Sequence, residues 1–169
     1  MASVVVDSIK CLEETTEVAD SDRIYMIVFR GNTIPPFNSN VAVHAPSAWQ
    51  DFDKGETQHG DRAIAQFVPG AVYVVMLVEQ DDERDIKDPG AIGGWRTATD
   101  AKWKADMALG ESPAEAAQNI IDLMQGLIHL PLLNDDPIGA RHFSANAIPQ
   151  AAITYSGHGG KYQVKFKVA

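Results

Sequence analysis

Cysteine is nearly absent from this chain. Of 169 residues only Cys11 carries a thiol, so no disulfide can form within it and the staple that small secreted domains rely on is missing. Long apolar runs are missing too. The longest, AVYVVMLV at 71–78, is far short of the roughly 20 residues that a membrane-crossing helix requires. The opening MASVVVDSIK has no basic start followed by an extended apolar segment, as a signal peptide would. The chain is therefore expected to be soluble and cytoplasmic as made, not transmembrane, with export by a signal-independent route left open. Bases are scarce relative to acids: 14 Lys and Arg against 23 Asp and Glu, a net charge of −9. That balance disfavours nucleic acid as a partner and favours cations.

What is present points to strands at both ends and helices between them. The length suits one well-buried core, hence a single domain over residues 1–169. Residues 4–12 and 24–30 are rich in Val and Ile and read as strands, separated by the acidic ETTEVADSD. VAVHA suits a short strand or an irregular crossing at the sheet edge, and 46–61 reads as a long loop. The continuous apolar run 71–78 predicts a central strand covered on both faces, with a buried helix as the alternative that periodicity alone does not separate from it. Pro69 and Gly70 before it and EQDDERD after it bound it to strand length. At the C-terminus, Tyr162, Val164, Phe166 and Val168 alternate with Lys161, Gln163, Lys165 and Lys167, the two-residue period of a half-buried strand. Gly157, Gly159 and Gly160 place a turn before it, so 151–168 reads as a hairpin.

Between these β regions, Ser112, Pro113 and Glu115 form a capping box with proline at the first helical position. Ala117, Ile120, Ile121, Met124, Leu127 and Ile128 follow at helical spacing. This predicts a helix stopped near Pro131, with a shorter partner over 98–109 that ends at Gly110. Its apolar face is ordinary core material. The fold expected is mainly β, an antiparallel β-sandwich interrupted by a helical pair inserted at about 98–130.

The acids are clustered. Glu13, Glu14, Glu17, Asp20 and Asp22 lie in the first loop; Asp81, Asp82, Glu83, Asp85 and Asp88 follow the central strand; Asp135 and Asp136 follow the insertion. Carboxylates that converge on one end of a sandwich repel unless a cation neutralises them. Hard oxygen ligands from flexible loops favour calcium, which takes about six to eight oxygens, over the more rigid magnesium. The competing reading is a set of solvated loop acids.

The pieces SDRIYMIVF (21–29), VYVVMLVEQDDERD (72–85) and NDDPIGA (134–140), in that order, resemble the synaptotagmin and protein kinase C type of calcium-dependent phospholipid-binding domain. That family has an Asp-containing loop leading into a strand, then a strand ending in D-x-D, then a D-D-x-I-G turn. The resemblance implies an antiparallel sandwich of about eight strands with calcium held at one end. The ligands it implies are Asp20, Asp22, Asp81, Asp82, Asp135 and Asp136, and the implied partner is an anionic phospholipid surface or a protein. The chain departs from the family in two places. About fifty residues separate Asp85 from Asn134, and EQDDERD contains no unambiguous D-x-D. Asp85, Asp88, Asp51 and Asp53 stay open as alternative ligands, and Asp88 with Ile92-Gly93 offers a second register for the turn. More loosely, Asp22–Tyr25 and Gly157–Tyr162 make the chain similar to uncharacterised bacterial proteins of this size, which supplies no activity.

Other constellations carry less. Asp51-Phe52-Asp53-Lys54-Gly55-Glu56 alternates acids before a glycine but lacks the closing glutamate and flanking helices of an EF-hand; a polar turn is the simpler reading. The five histidines form no H-E-x-x-H pair, although His59 with Asp61 is a plausible local polar pair. Ser156 and His158 are too close in one turn to face each other as nucleophile and base, and no G-x-S-x-G is present. The protein is therefore read as non-enzymatic. Cys11 is expected as a small buried hydrophobe. Lys161, Lys165 and Lys167 form a basic stripe that either contacts anionic head groups or a partner, or blocks edge-to-edge pairing. Besides a calcium-dependent module, the sequence suits a metal-independent structural or interaction subunit of a larger bacterial assembly or toxin system. A hydrolase whose site is assembled only by the fold is the third reading.

Overall fold

A computed structural model describes residues 1–15, 22–80, 89–128, 135–148 and 151–169; the side chains of Asp22, 45–51 and 89–92 fall outside that description. In chain order the elements are β1 (Ser3–Glu13), β2 (Asp22–Gly31), β3 (Ser39–Phe52), β4 (Thr57–Gln66), β5 (Val72–Glu79), α1 (Pro89–Ala108), α2 (Pro113–Ile128), β6 (Asp136–Ser144), a 3-10 turn (Ala145–Ala147), β7 (Ile153–Gly157) and β8 (Gly160–Val168). The strands form two four-stranded sheets, ordered β4-β1-β8-β7 and β3-β2-β5-β6, and every ladder is antiparallel. This is the mainly β sandwich with an inserted helical pair that the patterning predicts.

Two apolar layers hold it. Between the sheets lie Val4, Val6, Ile9, Cys11, Met26, Val28, Tyr73, Val75, Leu77, Tyr162, Val164 and Phe166. On the outer face of the second sheet, Tyr25, Ile27, Phe29, Val74, Met76 and Val78 meet Trp95, Trp103, Ile120, Ile121 and Met124 of the helices. Every residue of β5 is buried, because one face looks into the sandwich and the other into the helical layer. Hence its continuous apolar run rather than an alternation. β5 and β6 are ladder neighbours, so the helices replace what would otherwise be a simple hairpin loop.

The capping box forms as expected. The Ser112 hydroxyl donates to Glu115 at 2.7 Å and accepts from the Glu115 amide at 3.3 Å, a cap worth about 1 kcal/mol. The corner between the helices is tied by Asp106, 2% exposed, which accepts from Lys102 at 2.7 Å and Asn119 at 3.1 Å. The first helix begins at Pro89, earlier than the expected 98. Glycines 90, 93 and 94 weaken its intrinsic propensity, but Trp95, Thr99 and Trp103, all buried at i, i+4 and i+8, commit that stretch to a helix on the sheet. Ile92-Gly93 therefore lies in α1, which removes it as an alternative calcium turn.

The largest correction concerns 46–61. Instead of a loop, β3 and β4 run through it, joined by the Asp53–Glu56 turn, in which the Glu56 amide donates to the Asp53 carbonyl at 2.9 Å. Both are edge strands, and β4 is exposed along most of its length, so neither carries the alternation that reveals a half-buried strand. The C-terminal hairpin forms with a two-residue turn, His158 and Gly159, both at positive φ (50° and 82°), the backbone sense that suits strand twist.

Tyr155 is 1% exposed and its hydroxyl has no hydrogen-bond partner among the described residues. Tyr155→Phe is expected to raise stability by about 1 kcal/mol, moving the thermal midpoint up by about 2–4 °C. Burial also raises the phenol's pKa above its ordinary value, an effect that Arg141 opposes. The folded protein therefore holds this proton longer than the unfolded chain. That contribution is complete below about pH 10 and lost as pH rises beyond it. In the phenylalanine variant the alkaline loss of stability should be shallower, and an unchanged alkaline limb would contradict this reading.

Candidate functional site

One end of the second sheet gathers three acid-bearing strand ends. β2 begins at Asp22, β5 ends at Glu79 and β6 begins at Asp136; the ladders set Ile24 opposite Glu79, and Glu79 opposite Asp136. The Gln80 amide donates to the Arg23 carbonyl at 2.9 Å, carrying the pairing one residue past the end of β5. Of the six predicted ligands, Asp135 and Asp136 are described in full and Asp22 by its backbone. Asp20, Asp81 and Asp82 lie outside the described residues, as do the alternatives Asp85 and Asp88.

The neighbouring acids Asp135 and Asp136 go different ways. Asp135, 3% exposed, accepts a 2.7 Å hydrogen bond from the Tyr25 hydroxyl, and Tyr25 belongs to the helix-side layer. Asp136 lies 3.3 Å from Nδ1 of His158, in the turn between β7 and β8 on the other side. Successive residues of an extended chain point to opposite faces, so the D-D pair is split between the two layers. Glu79 shares the inter-sheet face with Asp136: it continues the period of Tyr73, Val75 and Leu77, which are core residues of that layer, and it is 4% exposed. Two carboxylates directly opposite each other in a ladder repel, and a cation nearby offsets this. Sequence reasoning missed Glu79, although its two-residue phase with Tyr73 was the available signal. It also missed Tyr25 and His158, which are brought in only by pairing.

Among the described residues no three His, Cys, Asp or Glu side chains gather as a ligand set. Any ion at this end would therefore draw on the acids of the connections 16–21 and 81–88. Asp53 sits in the β3–β4 turn, where its amide donates to the Glu56 carboxylate at 3.0 Å, as a polar turn would have it.

The basic stripe does not sit on an edge. β8 is an interior strand between β1 and β7, so its lysines do not guard an edge. Lys167 bridges Asp7 at 2.8 Å and Asp61 at 2.5 Å across three strands. Asp61 thus engages Lys167. The hydrogen bond from Lys167 holds the Asp7 carboxyl below its ordinary pKa, and Asp61 and Asp7 in turn raise that of the lysine. Lys165 is exposed and Lys161 partly so on the same open face.

Two shallow clefts lie away from these acids. One of about 600 Å³ is lined by Thr33, Val72, Pro113, His142, Phe143 and Asn146. The other, about 550 Å³, lies between the start of β3 and α1 and includes Arg96, Asp100 and Lys104. At the latter, burial alone would raise the Asp100 carboxyl, but hydrogen bonds from Lys104 and Ser39 outweigh it and hold the pKa low. A scan against protein-family models and searches of curated proteins and of solved structures find no match to this chain.

Proposed function

We propose that this protein is a non-enzymatic binding module whose acidic end takes up calcium and uses it to engage an anionic partner, a membrane surface or a protein. The observation that supports this is the adjacency of the ends of β2, β5 and β6, which sets Asp22, Glu79 and Asp136 in neighbouring registers of one sheet. Asp136 and Asp22, with Asp20, Asp81 and Asp82 from the adjoining connections and Asp135 behind them, would be the ligands. Calcium would turn a repulsive acidic rim into a bridge for phosphate or carboxylate. No helix among the described residues is long and apolar enough to cross a membrane, so contact with lipid on this reading is peripheral.

A thermal melt tests it. At a hundredfold excess over the dissociation constant, calcium should add about 2.7 kcal/mol, a rise of about 5–10 °C over chelator for a chain of this size. The Asp136→Asn variant should lose most of that rise. A midpoint that ignores calcium in the parent protein sinks the reading; where the midpoint rises, co-sedimentation with anionic vesicles distinguishes a lipid from a protein partner. The second reading, a metal-independent interaction subunit, is favoured by the protein partners that Asp135 and Asp136 already have in Tyr25 and His158. It predicts no calcium effect, together with self-association or a co-purifying partner.

A further inference from the structure

The sandwich has an open corner where β3 and β4, edge strands of different sheets, follow one another through the Asp53–Glu56 turn and share no ladder among the described residues. β3 pairs regularly with β2 from Ser39, opposite Gly31, to His44, opposite Met26; the register then slips. Two steps along β2, from Met26 to Ile24, correspond to five along β3, from His44 to Trp49. His44 is thus the last residue of the regular ladder before a bulged half-strand.

The His44 ring lies in that corner. Its neighbours on β3, Val41 and Val43, belong to the helix-side layer, so alternation turns His44 toward the other sheet. There it interacts with the backbone carbonyl of Ile64 on β4, itself a core residue. Its Nε2 is buried and has no hydrogen-bond partner among the described residues. Of the charged groups on the elements around it, Arg62 of β4 acts on the ring. Asp61 is turned to the opposite face, where it holds Lys167, and β2 offers the uncharged Met26.

We propose that His44 is an acid-sensitive latch on this corner: neutral, it fastens β3 to β4, and on taking a proton from solvent at Nε2 it lets the bulged half of β3 part from the sandwich. A neutral imidazole tolerates a buried bare nitrogen at modest cost. A protonated one places an N–H with no acceptor and a positive charge in the same spot, close to Arg62. Burial, the largest influence, lowers the pKa below the ordinary value; the Ile64 carbonyl opposes this and Arg62 adds to it. The sign follows. The unfolded or released histidine takes its proton near pH 6.5 and the latched one only at lower pH, so the latch is fully effective above about 6.5 and weakens as pH falls through that window.

Amide hydrogen exchange on the full chain at pH 7 and pH 5, corrected for intrinsic rates, tests it. Peptides covering 44–52 and 57–66 should lose protection by up to about tenfold per pH unit, while 39–43 and β5 stay protected. In His44→Gln the pH response of those peptides should vanish. Equal responses in parent and variant, or none in the parent, would overturn the proposal. Should the variant fail to fold, a histidine titration of the parent by NMR decides instead. The His44 ring and the β3–β4 amides should then share one midpoint below that of an ordinary histidine, and separate midpoints refute the latch.

Discussion

Trp103→Ala is expected to lower the thermal midpoint by about 8–16 °C, the equivalent of about 4 kcal/mol. The indole is fully buried between α1 and the sheet, meets Phe29 edge-on at 5.4 Å between ring centroids, and donates from Nε1 to the Asn32 carbonyl at 3.0 Å. Truncation removes all three contributions at once and leaves a cavity that the sheet cannot close, because the ring lies directly on the backbone at Gly31. A Cβ at Gly31 would run into that ring, so Gly31→Ala attacks the same contact from the other side. Trp103→Phe keeps a ring and loses the donor, and should cost less than half as much. If Trp103→Ala moved the midpoint by less than about 3 °C, the helical layer would not depend on this residue.

Gly157→Ala should cost about 3 kcal/mol, a fall of about 6–12 °C. A Cβ there would lie 2.5 Å from the Ile138 carbonyl oxygen and 3.1 Å from that of Pro137. Both are backbone atoms, so relief requires β6 and β7 to move apart rather than a side chain to turn. The same approach seats Ile138 in the core and sets Asp136 against His158, so the variant disturbs the acidic end as well. Gly126→Ala is the matched control. It lies in α2 with nothing within 4 Å of an added methyl, and should stabilise by about 1 kcal/mol. Equal outcomes for the two glycines would show that the close approach at Gly157 carries no energetic weight.

Several features of this fold are visible without coordinates because they depend on local chemistry or a simple period. The capping box at Ser112–Glu115 is one, since its donors and acceptors are three residues apart. The alternation of Tyr162, Val164 and Phe166 is another, since one face of β8 is wet and the other packed. The apolar run of β5 and the burial of Cys11 belong with them. The stretches that misled are those whose state is settled by neighbours. β4 is a polar edge strand whose ladder partner, β1, lies far away in sequence. β3 continues well past VAVHA along β2 through a bulge that breaks its period, and the start of α1 is rich in glycine yet held by buried tryptophans. The acidic end divides in the same way. The clustering of Asp and Glu around the strand ends could be read from order alone, but the direction of each carboxylate could not.

Composition and short spacings were thus enough to establish the class of the protein: strands at both ends, a capped helix between them, no disulfide, and a surplus of acids gathered near certain strand ends. Each of these follows from residue counts or from spacings of two to four residues, within which side chains of one element share a face. Which acids meet was settled by the packing of the whole chain. Strand pairing placed Glu79 opposite Asp136, sent Asp135 to Tyr25 and brought His158 from the last hairpin. Those partners are joined by ladder register and by the stacking of two sheets, contacts between residues up to 110 positions apart, and no local pattern encodes them.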